Sequence, residues 1–136
     1  MQAIEYLKRA RDLLDKPENW TGDIYARKSS GVPTRINSPD ACRWCLTGAL
    51  IKVSDKNNGN EDDIELIDAI CDMDDGFKDA TKILYCALGH KYENFCSQSV
   101  MSSFVSNFND ADDTTHLDII DLLDTAIDNI NIASAF

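Results

Sequence analysis

One stretch, residues 38–53 (SPDACRWCLTGALIKV), constrains the fold more than any other part of this chain. Ser38 is a good helix N-cap, and Pro39 suits the first helical position, so we expect a helix to begin there. Behind that start, apolar residues form two adjacent stripes at helical spacing: Ala41, Trp44, Cys45, Gly48 and Ala49 in the first, and Cys42, Leu46, Leu50 and Val53 in the second. A helix that is apolar on two stripes is mostly buried, so the sequence predicts a central helix over this stretch.

A glycine, Gly48, lies inside the predicted central helix. Glycine costs about 1 kcal/mol relative to alanine in a helix interior, so its presence there needs a reason. We expect a neighbouring element to press on the helix backbone at this position.

Apolar residues at helical spacing predict five further helices, over about 2–16, 61–73 and 77–88, from about 97 or 99 to 108, and from Thr114 or Thr115 onward. Gly89 is a plausible residue after the end of its helix, and Thr115 with Asp118 resembles a capping box. Two of the faces expected to be buried consist of Val100, Met101, Phe104, Val105 and Phe108, and of Leu117, Ile120, Leu123, Ala126, Ile127 and Ile130. Residues 23–37 form either a short hairpin or an ordered loop, because Pro33 weakens a strand. The predicted fold class is therefore all-α, a single compact domain over residues 1–136 with five or six helices.

The charge of the chain is strongly acidic and unevenly distributed. The net charge is −11, and residues 61–136 contain only 3 Lys and Arg against 17 Asp and Glu. Direct binding of nucleic acid by this half is disfavoured, since neutralising phosphates needs basic side chains. A basic protein surface would be attracted instead, and the alternative is an acidic face that only keeps the protein in solution. The carboxylates predicted to bind a partner are Asp110, Asp112, Asp113, Asp118, Asp121, Asp124 and Asp128, with a second group at Asp62, Asp63, Asp68, Asp72, Asp74 and Asp75.

Other features of the sequence indicate where the protein resides. The N-terminal residues lack the basic-then-apolar profile of a signal peptide, and no apolar run approaches the roughly 20 residues of a membrane span. The five cysteines are odd in number and scattered, which is typical of reduced thiols. We therefore expect a cytoplasmic protein that binds neither membranes nor cofactors.

Three groups of residues have the composition of a chemical site. Cys42 and Cys45 form a C-x-x-C pair, a spacing found in redox and zinc sites. A redox pair has its first Cys at a helix N-terminus, whereas Cys42 is predicted about one turn inside, and a zinc site would need two more ligands; buried core thiols are the alternative. Segments 55–60 and 109–113 are rich in Asp and Asn without the spacing of a calcium-binding loop. Cys45, His116 and Asp110 or Asn109 are residue types that serve as nucleophile, base and orienting group. Against that interpretation, Cys45 is predicted to lie in mid-helix, and Asn109, Asp110 and His116 would equally well brace the last loop.

Taken together, the motifs resemble a family of small uncharacterised domains found in actinobacteria and bacterial viruses. The residues that match its pattern are Trp20 and Gly22, Gly31, Ala41, the block Trp44-Cys45-x-x-Gly48-Ala49-Leu50, Phe108-Asn109-Asp110, and Thr115-His116. Phe108 departs from the pattern, in which the aromatic residue is usually Trp. The resemblance covers nearly the whole chain and implies the fold, but no activity.

These observations favour a non-enzymatic function. The expected function is an acidic protein-binding module, plausibly an accessory protein of a phage or mobile element that blocks a host protein, by occupying a groove built for nucleic acid. In that setting the protein would lie in the host cytoplasm. The alternative is a small hydrolase or transferase that uses Cys45 and His116, with Asp110.

Overall fold

The computed structural model describes residues 1–54, 73–89 and 97–134, the last three of these by backbone alone. These ranges contain five α-helices and a two-stranded antiparallel sheet, so the predicted mainly-α class is confirmed. The elements in chain order are α1 (Ala3–Leu13), a 3₁₀ turn (Pro17–Asn19), β1 (Ala26–Lys28), β2 (Ala41–Trp44), α2 (Leu46–Lys52), α3 (Asp75–Ala87), α4 (Gln98–Asp110) and α5 (His116–Ser134).

Helices α1 and α3 share the centre of the packing. Helix α1 contacts α2, α3 and α5, helix α3 contacts α1, α4 and α5, and α4 also packs against α2. Fully burying one large apolar side chain contributes about 1.5–3 kcal/mol, so this shared core holds the helices together. Its largest buried members are Tyr6, Leu7, Leu14, Leu46, Leu50, Ile51, Phe77, Leu84, Val105, Ile119 and Leu123.

The sequence predictions are confirmed for the end of α3 and for the starts of α4 and α5, whereas α3 begins at Asp75, two residues before its predicted start. Asp74 caps α3 by accepting a hydrogen bond from Phe77 N at 2.9 Å, and Ser97 caps α4. Gly89 follows α3 with φ +99°, a conformation that favours glycine. Thr115 N donates to Asp118 Oδ2 at 2.9 Å and Asp118 N donates to Thr115 Oγ1 at 3.3 Å, which is the predicted capping box. The helix predicted over 61–73 lies outside the described residues, apart from its last position.

The prediction of one helix over residues 38–53 is wrong in its first half. Residues Ala41–Trp44 form β2, which pairs antiparallel with β1, and α2 begins only at Leu46. Ser38 does not cap a helix; its carbonyl accepts from Ala41 N in a turn. The backbone of β2 finds its partners far away in the chain, since Trp44 O also accepts from Thr21 N at 3.1 Å. Such long-range pairing overrides the local helical pattern, because buried backbone groups must all be bonded.

The short segment before β2 contains a tight reversal. Lys28 N donates to Val32 O at 2.9 Å and Thr34 N donates to Ala26 O at 3.1 Å across a turn in which Gly31 has φ +90°. Of the two alternatives for residues 23–37, a short hairpin or an ordered loop, the backbone bonds across this turn correspond to a short hairpin. The main partner of β1 is nevertheless β2, which lies beyond that range.

Three side chains expected in the core are exposed. Val100 and Phe104 on α4 are 42% and 41% exposed, and Leu117 on α5 is 65% exposed. Met101 and Val105, one residue further along α4, take the buried positions instead. The α4 face that contacts the core is thus narrower than its apolar stripe, and apolar surface is left in contact with solvent.

Helix α5 is the longest element described. It carries four aspartates among its 19 residues. Within the described ranges, no helix combines the length and the apolar character that crossing a membrane requires.

Candidate functional site

The N-terminus of α2 packs tightly against the chain that precedes β1. A Cβ atom on Gly48 would lie 2.2 Å from the carbonyl oxygen of Tyr25, which no side chain can tolerate without movement. Cys45 N donates to that same oxygen at 3.2 Å. The expectation that another part of the chain presses on Gly48 is confirmed, because the backbone of Tyr25 lies against the helix at this position.

Asn109 joins three separated segments of the chain. Its Oδ1 accepts from Trp20 Nε1 at 2.8 Å and from Leu46 N at 3.0 Å. Its Nδ2 donates to Thr21 O at 3.1 Å and to Asp110 Oδ1 at 2.9 Å. Asn109 is 2% exposed, so a single buried amide ties the Trp20 turn and the start of α2 to the end of α4. We call these five residues the Asn109 junction.

The neighbouring carboxylate completes the attachment of the Trp20 turn. Asp110 Oδ1 accepts from Asp23 N at 2.8 Å, and Asp23 has φ +67°, in the left-handed region. Gly22 lies between Thr21 and Asp23, and a Cβ atom added to it would lie 3.4 Å from Asp110 Oδ1. The sequence suggested that Asn109 and Asp110 brace the last loop, but in the structure they brace the turn at residues 20–23. The last loop is held by Thr114 Oγ1, which donates to Phe108 O at 2.7 Å.

Sequence reasoning missed the role of Arg27. Its guanidinium donates to Thr21 Oγ1 at 2.9 Å, to Gly31 O at 2.9 Å and to Gly22 O at 3.2 Å. One arginine thus fixes both the turn before β1 and the reversal after it. The only signal in the sequence is an arginine between two glycine-containing turns, which is too weak to predict these contacts.

The predicted nucleophile and base each form their hydrogen bonds with other groups. His116 Nε2 donates to the Leu14 carbonyl oxygen at 2.6 Å, and its ring lies 6.4 Å from that of Trp20. Cys45 Sγ accepts from Gly48 N at 3.2 Å. Among the hydrogen bonds of the described residues, none links His116 to Cys45 or to Asp110. His116 instead anchors the start of α5 to the end of α1.

The environment of the Cys45 thiol opposes its ionisation. The prediction that Cys45 lies in mid-helix is wrong. Cys45 is the N-cap of α2, a position that usually favours a thiolate. Burial outweighs that effect and, with a smaller contribution from the charge of Asp110, raises the pKa of Cys45 to about 12. At neutral pH this thiol is protonated and acts as a helix cap.

The other metal and redox interpretations can also be placed. Cys42 lies in β2 and Cys45 beyond it, and both are free thiols. In the described ranges no three His, Cys, Asp or Glu side chains are grouped closely enough to hold a metal ion. Segment 55–60 lies outside the described residues, and in segment 109–113 the Asn109 amide is committed to the junction.

The acidic residues differ in how much of their charge is available. Asp112, Asp113, Asp121 and Asp128 are exposed, and no hydrogen bond or ion pair of the described residues involves them. We call these four residues the acidic surface. Of the other predicted carboxylates, Asp110 belongs to the junction, Asp118 caps α5, and Asp124 pairs with Arg11 at 3.0 Å. Although residues 97–134 contain no Lys or Arg, Arg11 on α1 therefore neutralises one aspartate of α5.

Of the second acidic group, only Asp74 and Asp75 are described. Asp74 caps α3 and accepts from the Tyr6 hydroxyl at 2.9 Å, and Asp75 is exposed. Asp74 is therefore a structural residue.

These features define a small, mainly α-helical protein in which the Trp20 turn, the start of α2 and the end of α4 meet at a buried polar junction. The chain belongs to a family of unknown function (DUF6197), which it matches over residues 1–129. The resemblance to a family of uncharacterised domains is confirmed to that extent. Comparison with curated proteins and with solved structures gives no match.

Proposed function

We propose that this protein is a non-enzymatic binding protein whose acidic surface contacts a basic surface of another protein. The observation that carries the proposal is a charge pattern. Between residues 97 and 134 there are seven aspartates and no lysine or arginine. Four of those aspartates are exposed and make no hydrogen bond or ion pair with the residues that the structure describes, so their charge acts on the surrounding solvent and on approaching molecules.

The use of the motif residues supports a binding role over catalysis. Cys45 is buried with a pKa of about 12, and His116 is bonded to Leu14 O. A nucleophile needs a base within hydrogen-bond reach, and these two groups do not provide one. The Cys45, His116 and Asp110 hydrolase or transferase is therefore the weaker alternative.

The partner is characterised by its chemistry. A surface rich in Lys and Arg would be drawn to the acidic surface by long-range attraction, and a nucleic-acid-binding groove is such a surface. Carboxylates would then stand where phosphates normally lie, and the protein would compete with nucleic acid. An inhibitor of a host protein, encoded by a phage or mobile element and active in the cytoplasm, fits this proposal. Direct contact with nucleic acid or with a membrane does not.

The experiment compares three immobilised proteins as baits for a bacterial lysate. They are the wild type, the double variant Asp121→Lys/Asp128→Lys, and the control Asp12→Lys/Asp79→Lys, whose positions are equally exposed but lie on α1 and α3. A true partner is retained by wild type and control and lost from the acidic-surface variant. Adding duplex DNA to the retained complex tests competition. Equal retention by all three proteins would refute the proposal.

A further inference from the structure

The open side of the small sheet carries two arginines directly opposite each other. Arg27 on β1 is the register partner of Arg43 on β2, and Pro33 bridges to Arg27 from the other side. Ala26 and Trp44, the next pair along the strands, are buried in the core. Because successive side chains of a strand alternate between its two sides, Arg27 and Arg43 face outward. We call the outward side of Arg27, Pro33 and Arg43 the arginine face.

Arg27 places a fixed positive charge on the arginine face. Its guanidinium is held by three neutral acceptors, Thr21 Oγ1, Gly22 O and Gly31 O. Neutral acceptors do not cancel a charge, and no ion pair of the described residues joins Arg27 to a carboxylate. The position of this charge is therefore set by the two turns that Arg27 holds.

Arg43 supplies free hydrogen-bond donors beside that charge. Its side chain is half-buried and forms no hydrogen bond or ion pair within the ranges that the structure describes. The buried polar atoms without a partner in those ranges do not include its nitrogens, so solvent reaches the guanidinium. Like charges directly opposite each other destabilise an antiparallel pair, and an anion lying against both arginines would relieve that repulsion.

The charge around the arginine face is opposite in sign to that of the whole chain. Residues 24–54 contain five Lys and Arg and a single Asp, whereas the net charge of the chain is −11. That aspartate, Asp40, is engaged by Lys28, whose Nζ lies 4.0 Å from Asp40 Oδ2. Charges are screened beyond about 8–10 Å at physiological salt, so an anionic group close to the sheet responds to this local excess of positive charge.

The surroundings of the two strands determine how a ligand can be held. Next to the arginine pair, Pro33 bridges to β1 on one side, and Trp20 bridges to Trp44 of β2 on the other. Both edges are occupied there, so a ligand cannot add a strand and must contact the outward side chains. A carboxylate suits them, because it can accept two parallel hydrogen bonds from one guanidinium.

We propose that the arginine face binds a short acidic segment of another protein. An Asp or Glu carboxylate of the segment accepts hydrogen bonds from Arg43 and lies next to the fixed charge of Arg27. Nucleic acid fits less well, because a long polyanion extends beyond the sheet and is repelled by residues 97–134, which carry seven aspartates and no Lys or Arg. This site is separate from the acidic surface and does not depend on the function proposed for that surface.

The test uses a displayed library of random eight-residue peptides, selected on the wild-type protein at low salt. Enriched peptides contain Asp or Glu, and labelled synthetic copies of them give dissociation constants. Arg43→Gln binds them roughly ten- to hundredfold more weakly, the range of hydrogen bonds to a charged group. Arg43→Lys keeps the charge but loses the planar fork, so its affinity is intermediate. The control Lys8→Gln removes an equal charge from an exposed position on α1 and changes the affinity by less than about twofold.

Thermal stability separates binding from a structural role for Arg43. The Tm of Arg43→Gln stays equal to that of the wild type or rises, because the substitution removes one of two opposed like charges. A Tm that falls while the affinity for the peptides is unchanged shows that Arg43 is structural and overturns the proposal. Equal affinity of the wild type, Arg43→Gln and Arg43→Lys overturns it as well.

Other occupants of the arginine face give different results. A library without enriched peptides, or with enriched peptides that lack Asp and Glu, overturns the proposal. Duplex DNA that binds the wild type but not Arg43→Gln assigns the face to nucleic acid, and self-association that Arg43→Gln abolishes in sedimentation assigns it to a second copy; either result overturns the proposal. Acidic peptides that bind Asp121→Lys/Asp128→Lys at least as tightly as the wild type support it, whereas peptides that this variant no longer binds overturn it.

Discussion

Replacing Asn109 with alanine should lower the free energy of unfolding more than any other single substitution in the junction. The substitution removes the acceptor for Trp20 Nε1 and Leu46 N and the donor for Thr21 O. Leu46 is fully buried, so its N–H would be left without a partner, whereas Trp20 and Thr21 are half-buried and can be partly hydrated. An orphaned buried group costs about 1–3 kcal/mol, so we expect a total loss of about 3–5 kcal/mol in the free energy of unfolding.

That loss is a large share of the stability of a small protein, which is about 5–15 kcal/mol. The assay is urea unfolding followed by circular dichroism, with thermal melting as a second measure, and Tm should fall by about 10–20 °C. The matched control is Asn107→Ala, an exposed asparagine on the same helix, which should change stability by no more than about 0.5 kcal/mol. A loss below about 1 kcal/mol for Asn109→Ala would refute the view that this amide holds the three segments together.

A double-mutant cycle with Trp20→Phe locates the effect. Trp20→Phe removes the indole donor to Asn109 Oδ1 together with part of the ring, and the cycle subtracts the packing loss, so the coupling reports the one hydrogen bond that the two residues share. We expect a coupling energy of about 1 kcal/mol between them, because residues in one hydrogen-bond network are not additive. Strict additivity would mean that Trp20 and Asn109 act independently.

Three further predictions follow from other contacts. Gly48→Ala should destabilise the protein by about 1–3 kcal/mol in urea unfolding despite the better helix propensity of alanine, because its Cβ would meet Tyr25 O; a stabilised variant would contradict this packing. Since the folded pKa of Cys45 is about 12 and the unfolded value is 9.0, stability should be constant below pH 9 and fall above it, by up to about 1.4 kcal/mol per pH unit. Unfolding measured from pH 7 to 10 should show a shallower fall in Cys45→Ala, and equal slopes would contradict the burial of the thiol. Asp124→Asn should cost at most about 1 kcal/mol through its partly exposed pair with Arg11, and less in high salt, while Asp121→Asn should be neutral.

Sequence periodicity predicts the helices of this fold well and its sheet poorly. The apolar stripes of α1, α3 and α5 have a single period, and their caps (Asp74 at α3, Thr115 at α5) are local signals. Residues 41–44 read equally well as part of a helix, since Ala41 and Trp44 lie on one helical stripe. Their strand conformation depends on pairing with Ala26–Lys28, which no local pattern reveals.

Three of the five junction residues are predictable from the sequence, but the geometry of the junction is not. Trp20, Asn109 and Asp110 stand out as motif residues, whereas Thr21 and Leu46 contribute backbone atoms that no motif indicates. The hydrogen bonds from Leu46 and Trp20 to Asn109 join residues that are 63 and 89 positions apart in the chain. No local spacing pattern in the sequence predicts contacts over such separations. The exposure of Val100 and Phe104 likewise depends on how α4 packs against α2 and α3.

The most direct test of the proposed function is the association rate constant of the purified partner at low and at physiological ionic strength. Rim charges act mainly on association, so Asp121→Lys/Asp128→Lys should associate at least tenfold more slowly at low salt and should lose most of the salt dependence of the wild type. Circular dichroism should show both proteins equally helical, because neither aspartate makes a hydrogen bond or ion pair among the described residues. Equal association rates for the two proteins at low salt would contradict a binding role for the acidic surface and leave it a role in solubility alone.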